Sequence, residues 1–453
     1  MLETPERPIP TSSNRKIDPT RRQATQFAKK PDGSPDNPDR PEIGPTDVAF
    51  QEWADLGLTP PNLDRMRQTR LDNIVAMLQA RDLAGVVLFD PLNIRYATDS
   101  TNMQLWTAHN PARAALVTAD GYMVLWDFHN CEFMSAHLDL IQERRSGAGF
   151  FYFVAGDQEA QIADAFVKEV DDIIRARMGS SNRRIALDKI ELHGFHALQK
   201  YGLETVSGWE FMEHVRAVKG VDEINAMRCC MATTEISVAK MREHLTPGIA
   251  ETELWSILHK ENIARGGEWI ETRILSSGQR TNPWMQECGP RRIQNNEIVA
   301  FDTDLIGPYG MCADISRTWF CGDGQPTQRQ RDMHKLALEH IQTNMQLLKP
   351  GVTFKEITFG GHKLPEKYVP QAYCVKMHGV GLCDEWPSIL YPEHYIPGAF
   401  DDHPLKPGMM MCVEAYIGEV GGPDGIKLEE QVLITEDGFE NLTSCPFDEK
   451  LSA

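Results

Sequence analysis

Short apolar runs bounded by Gly, Pro and Asn recur along the second half of the chain. One pair, EIVAFDTDLI and MCADISRTWF, flanks Gly307-Pro308-Tyr309-Gly310 and predicts two antiparallel strands joined by a tight turn. With the turn centred near Pro308, Asp302 falls opposite about Asp314. Asp302 and Asp304 are two apart and share one strand face. Three carboxylates would then converge on an otherwise apolar hairpin. Such a cluster repels itself and raises its own pKa values unless a divalent cation turns repulsion into coordination. A solvated acidic strand face is the other reading.

The first half alternates helical and strand periods. Leu71, Ile74, Val75 and Leu78 mark an amphipathic helix leading into a strand at 85–89. Runs at 114–117 and 122–126 flank Asp120-Gly121 and predict a hairpin. A helix at about 157–178 and a strand at 185–187 complete an α/β domain, assigned to 49–216. It carries no charged cluster with ligand spacing and reads as a supporting domain. Residues 1–48 are rich in proline and poor in large apolar residues, so they form either a disordered segment or an extended arm. Phe27, Ile43 and Phe50 as scattered anchors favour an arm draped over a partner subunit. The polar stretch RAVKGV at 216–221 marks the join to a second domain, 217–453. Helices at 222–244 and 250–265, a strand at 273–277 and a helix at 327–348 follow, with three further strand-like pieces after Pro350-Gly351.

A length of 453 residues accommodates two domains. Lys plus Arg total 46 against 65 Asp plus Glu, a net charge of -19, which argues against nucleic acid or an anionic membrane as partner. The chain shows no apolar run of membrane-spanning length and no apolar leader, so a soluble cytoplasmic protein is expected. The 10 cysteines lack CxxC spacing and read as reduced thiols.

Each late strand brings a candidate ligand. His378 ends the apolar run YCVKMH before Gly379 and Gly381, where a hydrogen-bonded structural histidine is the alternative reading. Glu414 lies in MMMCVEAYI and Glu429 in GIKLEEQVLIT. A glutamate is rarely buried without a partner, so two in apolar strands call for a cation. Asp302, Asp304, Asp314, His378, Glu414 and Glu429 together offer five carboxylates and one imidazole. That set exceeds a closed zinc site and suits two hard or borderline ions such as Fe, Mn or Co.

Asp302 and Asp314 with Ser316-Arg317-Thr318, HGVGL at 378–382, LKPGM at 405–409 with Glu414, and GIKLEE at 425–430 resemble the successive signatures of the pita-bread family. That family includes methionine aminopeptidase, aminopeptidase P, prolidase and creatinase. VRAVKGVDEINAMR at 215–228 resembles the start of its catalytic domain, and DPLNIRY at 90–96 the creatinase and prolidase N-terminal domain. The chain departs from the peptidases in three places. Trp284 stands where they carry a loop histidine. Asp384-Glu385-Trp386-Pro387 stands where they carry a second histidine. Asp304 takes the place of the glycine in their Asp-Ala-Gly, with one residue inserted before Asp314.

With these changes the chain is similar to the DddP-type dimethylsulfoniopropionate lyases. The resemblance implies a homodimer, iron as the metal with Mn, Co or Zn able to accept the same ligands, and cleavage of a small molecule, dimethylsulfoniopropionate, to dimethyl sulfide and acrylate. It implies Asp302, Asp304, Asp314, His378, Glu414 and Glu429 as ligands, Asp384 as general base and Tyr373 as a substrate contact. Metal coordination of the substrate carboxylate would ease removal of the adjacent proton. For Asp384 an acidic turn residue remains the alternative. A sulfonium group attracts aromatic faces, which makes Trp284, Tyr373, Trp386, Tyr416 and Trp106 candidates for its pocket. An Xaa-Pro peptidase and a catalytically silent binding protein are the competing functions.

Overall fold

The computed structural model describes residues 28–37 and 43–453. It divides into two compact units, one comprising Asn62–Arg216 with residues 28–37, the other Ile43–Pro61 with Ala217–Ala453. Residues 1–27 and 38–42 of the expected arm, Phe27 among them, lie outside the described residues. The chain changes unit at a different place from the expected 48/49 boundary. The helix Asp47–Asp55 buries Trp53, which stacks on Tyr309 at 5.9 Å and donates from Nε1 to Thr233 Oγ1 at 3.2 Å. Trp53 thus ties 43–61 to the second unit, while Ile43 is exposed.

In the first unit the strands β1 (Gly85–Leu88), β2 (Ala114–Thr118), β3 (Met123–Trp126), β4 (Glu143–Arg145), β5 (Arg184–Leu187) and β6 (Glu204–Ser207) form one sheet in the order β4-β3-β2-β1-β5-β6. β1 is wholly buried, as its unbroken apolar run GVVL requires of a central strand. The predicted hairpin is β2–β3, with Gly121 at φ +84° in its turn. The helix Glu159–Met178 packs Phe166, Val167 and Val170 into the core with Phe89 and Trp126.

The second unit opens with the helices Val221–His244 and Glu251–Ala264. Its strands are β7 (Trp269–Ile270), β8 (Leu275–Ser277), β9 (Glu297–Asp302), β10 (Leu305–Ile306), β11 (Cys312–Ala313), β12 (Ser316–Cys321), β13 (Val375–Val380), β14 (Asp384–Leu390), β15 (Met410–Gly418), β16 (Gly425–Ile434) and β17 (Phe439–Asn441). They form sheets ordered β11-β10-β7, β12-β9-β8 and β14-β13-β15-β16-β17. β15 and β16 are buried along their whole length, so every side chain on them, polar ones included, must find a partner inside the protein. The helix Gln328–Met345 starts from a reciprocal cap, in which Thr327 Oγ1 accepts from Gln330 N at 3.2 Å and Gln330 Oε1 accepts from Thr327 N at 2.8 Å. Its Met333, Ala337 and Ile341 pack in one core with Met411, Val413 and Leu428.

The three late strands expected from sequence are β13, β15 and β16; β14 went unforeseen. Its Pro387 and acidic start disguise it, and it is tolerated because β14 is the sheet's edge. All 10 cysteines are free thiols. No helix among the described residues is long and apolar enough to cross a membrane.

His334, on the helix Gln328–Met345, is fully buried and neither ring nitrogen has a hydrogen-bond partner among the described residues. Burial pushes its pKa down to about 4, with Asp448 opposing and Arg317 assisting. The unfolded chain accepts this proton near pH 6.5, so the contribution to stability is complete above that pH and is lost as pH falls toward 4. Chemical denaturation should show the midpoint dropping between about pH 7 and about pH 5. His334→Leu should remove roughly 2 kcal/mol of that loss at about pH 5; an unchanged pH dependence in the variant would contradict the assignment.

Candidate metal centre

The hairpin predicted around Pro308 forms with its centre at Tyr309, and it is interrupted midway. Asp302 pairs with Ser316, and Leu305 pairs with Ala313. Asp302 is therefore not opposite Asp314, as the sequence suggested. Instead, Asp304 and Asp314 face each other across the gap between the paired segments, where Asp304 N donates to Asp314 Oδ1 at 3.2 Å. The Thr303 hydroxyl closes that gap, donating to Ala313 O at 2.9 Å and accepting from Ile315 N at 2.9 Å. Asp304 sits at φ +35°, in the region that favours glycine. Its carboxylate accepts from Thr272 Oγ1 at 2.6 Å.

Ser316-Arg317-Thr318 then stitch β12 to β16, a strand of a different sheet. Ser316 Oγ lies 2.5 Å from Asp302 Oδ1 and 2.8 Å from Glu429 Oε2. Arg317 Nη1 donates to Glu429 O at 2.6 Å, and Thr318 Oγ1 donates to Lys427 O at 2.9 Å. Gln431 Oε1 adds a further tie, accepting from Asp314 N at 3.0 Å. These bonds fix Glu429 over the aspartates. Glu414 follows, because β15 pairs Glu414 directly with Glu429. From the other side β13 delivers His378, whose Nδ1 lies 3.0 Å from Gly379 O. That leaves Nε2 aimed at Glu429 Oε1, Asp314 Oδ2 and Glu414 Oε1, at 3.4, 3.6 and 3.7 Å. Gly379 permits the approach of β14, since a Cβ there would lie 2.4 Å from Trp386 O.

All six expected ligands therefore meet. Asp302, Asp304 and Asp314 present oxygens within 4.8 Å of one another, and so do ligand atoms of Asp314, His378, Cys412 and Glu429. Asp314 is common to both groups. Burial pushes the carboxyls up, reinforced by their mutual repulsion: Asp304 to about 7, Glu414 to about 8, with Asp302 and Asp314 also raised. Glu429 alone is held down against the cost of burial, by Lys427 and His378. Burial opposes a charge on His378, yet Asp384, Glu429 and Glu414 raise its pKa well above the usual value. Five clustered carboxylates are thus short of positive charge. Moreover, Glu414 Oε1 and Glu429 Oε1 are buried without a hydrogen-bond donor among the described residues. Hard oxygen donors, one imidazole and two orphaned oxygens fit divalent cations.

A model of metallopeptidase family M24 matches residues 225–436, the stretch that carries all six expected ligands. A dimethylsulfoniopropionate lyase DddP of Roseovarius nubinhibens is 55% identical over 445 residues, covering 97% of this chain and 98% of that protein. Its counterpart from Roseobacter denitrificans is 52% identical over the same coverage. An X-Pro aminopeptidase structure from Thermotoga maritima superposes with a TM-score of 0.66 at 19% identity, over 83% of this chain and 99% of that one, and shows the pita-bread fold. The chain belongs to the DddP-type dimethylsulfoniopropionate lyases. This is a family of carbon–sulfur lyase enzymes built on a metallopeptidase scaffold, and such scaffolds use divalent metal.

The remaining residues expected at the site occupy different positions around the cluster. Asp384 opens β14 with its side chain 48% exposed and Oδ1 3.8 Å from His378 Nδ1. Burial of the recess pushes its carboxyl up to about 7; His378 opposes the shift, and Asp304 and Glu429 add to it. Tyr373 and Trp284 lie beside the cluster and pack with Ile274 and Tyr416. Trp284 stacks on Tyr416 at 5.7 Å, and its Nε1 is buried without a hydrogen-bond partner among the described residues. Trp386 points elsewhere, packing on Phe354 at 5.1 Å and His403 at 5.2 Å in the hydrophobic core. Trp106 lies in the first unit, against Phe128, Phe151 and Phe153.

Sequence reasoning missed Lys427. It is fully buried, and its Nζ lies 2.8 Å from Glu414 Oε2, 3.0 Å from Asp302 Oδ2, 3.0 Å from Glu429 Oε2 and 2.8 Å from Ser316 Oγ. The ammonium also sits 5.6 Å from the Trp284 ring and 5.5 Å from the Tyr373 ring. The signal was present in GIKLEE, where Lys427 and Glu429 are two apart and share a face.

Proposed function

We propose that this chain cleaves dimethylsulfoniopropionate to dimethyl sulfide and acrylate, with Asp384 as the general base. The observation that carries the reading is the position of Asp384: a half-exposed carboxylate touching His378 at the rim of an otherwise buried cluster. The names of the end-to-end relatives in Roseovarius and Roseobacter support it. When bound by Asp302, Asp304, Asp314, His378, Glu414 and Glu429, divalent cations supply a Lewis acid for the charge that builds on the substrate carboxylate.

Asp384 removes a proton from the carbon next to that carboxylate. The C–H electron pair becomes the new C=C bond, the C–S bond breaks, and dimethyl sulfide departs with the sulfur electrons, leaving acrylate. The proton on Asp384 returns to solvent, which reaches its side chain. Lys427 offsets part of the carboxylate charge and holds Asp302, Glu414 and Glu429 in place. Because its ammonium already lies on the faces of Trp284 and Tyr373, we assign those rings to shaping the recess rather than to caging the sulfonium. Iron as the metal, a homodimer and a cytoplasmic setting belong to the same proposal and rest on the family resemblance.

Metal-loaded protein given dimethylsulfoniopropionate should release dimethyl sulfide into the headspace, with equimolar acrylate in solution. Headspace at blank level together with cleavage of Xaa-Pro dipeptides would overturn the lyase reading.

A further inference from the structure

Cys412 is fully buried on β15, directly across the ladder from His378 and two residues before Glu414, hence on the ligand-bearing face. Its Sγ lies within 4.8 Å of ligand atoms of Asp314, His378 and Glu429. Its hydrogen bond is a weak one, donated to Asp314 O at 3.8 Å. Glu429 shares that group, and its fully buried Oε1 has no hydrogen-bond donor among the described residues, His378 Nε2 lying 3.4 Å away. Two carboxylates, an imidazole and a sulfur make a mixed donor set that favours borderline ions over the hardest ones.

We propose that Cys412 is a further donor of the metal centre, its sulfur binding the ion shared by Asp314, His378 and Glu429 and biasing that position toward Fe, Co or Zn over Mn. The S–H proton passes to solvent as the sulfur–metal bond forms, so charge and atoms balance without an oxidant. The inference rests on the metal-centre reading above.

Cobalt-loaded protein tests it through near-ultraviolet sulfur-to-cobalt charge-transfer absorption. Zinc-loaded protein tests it through X-ray absorption fine structure, where a sulfur shell at about 2.3 Å is expected. Cys412→Ser and Cys412→Ala should keep bound metal but lose both signatures, and their preference for Zn over Mn should fall by about tenfold or more. Should either variant fail to fold, a wild-type zinc spectrum containing only nitrogen and oxygen neighbours would still overturn the proposal. Metal bound with identical spectra in wild type and variants overturns it as well. Protein that takes up no metal by elemental analysis sinks the metal-centre reading along with this one, which distinguishes the two failures.

Discussion

Asp384→Asn should keep its full metal complement and lose about 100- to 10,000-fold in turnover, the usual contribution of a positioned general base. The substitution preserves shape and removes only the ability to accept a proton. Asp384 stands outside both groups of converging ligand atoms, with its Oδ1 3.8 Å from His378 Nδ1. Its side chain is half exposed, and Glu414 and Glu429 remain beside His378 after the exchange. Metal analysis and dimethyl sulfide release on the same sample separate the two effects. Loss of metal alongside activity would make Asp384 a ligand; retained activity would return it to the role of an acidic turn residue.

Asp314→Asn should act on the metal itself, lowering affinity by at least about 100-fold and turnover with it. Asp314 is the residue common to both donor groups, and it is held from three sides. Its N–H is fixed by Gln431, its Oδ1 accepts from Asp304 N, and its Oδ2 lies 3.6 Å from His378 Nε2. An amide there keeps the hydrogen-bonding shape but presents one oxygen without charge. Metal titration monitored by equilibrium dialysis gives the affinity directly. Unchanged affinity would mean that the ions are held elsewhere.

The clustering of these side chains was legible because charge in an apolar strand is costly. Glu414 in MMMCVEAYI and Glu429 in GIKLEEQVLIT could be buried only beside a cation. The same logic, followed one step further, leads to Lys427, which supplies part of that cation from within the chain. It was overlooked because a lysine beside strand residues ordinarily reads as a solvent-facing side chain. Period two placed Asp302 and Asp304 together, but the interruption at Thr303 and Asp304 depends on a threonine hydroxyl and a positive φ that no alternation pattern encodes. The slip in the Asp302 pairing followed from it. Cys412 read only as one of the reduced thiols, because sequence shows an apolar run without saying what lies across the ladder. Trp386 illustrates the limit for aromatics. Its aromatic face made it a candidate for the sulfonium pocket, whereas its ring packs against the core beside Phe354.

The central claim is that six side chains from β9, the hairpin after it, β13, β15 and β16 hold metal beside Asp384. An anomalous difference map from crystals of active protein, collected at the absorption edge of the bound metal, tests it most directly. Density among Asp302, Asp304, Asp314, His378, Glu414 and Glu429 is the predicted result; active crystals with no anomalous peak within that cluster would contradict the account.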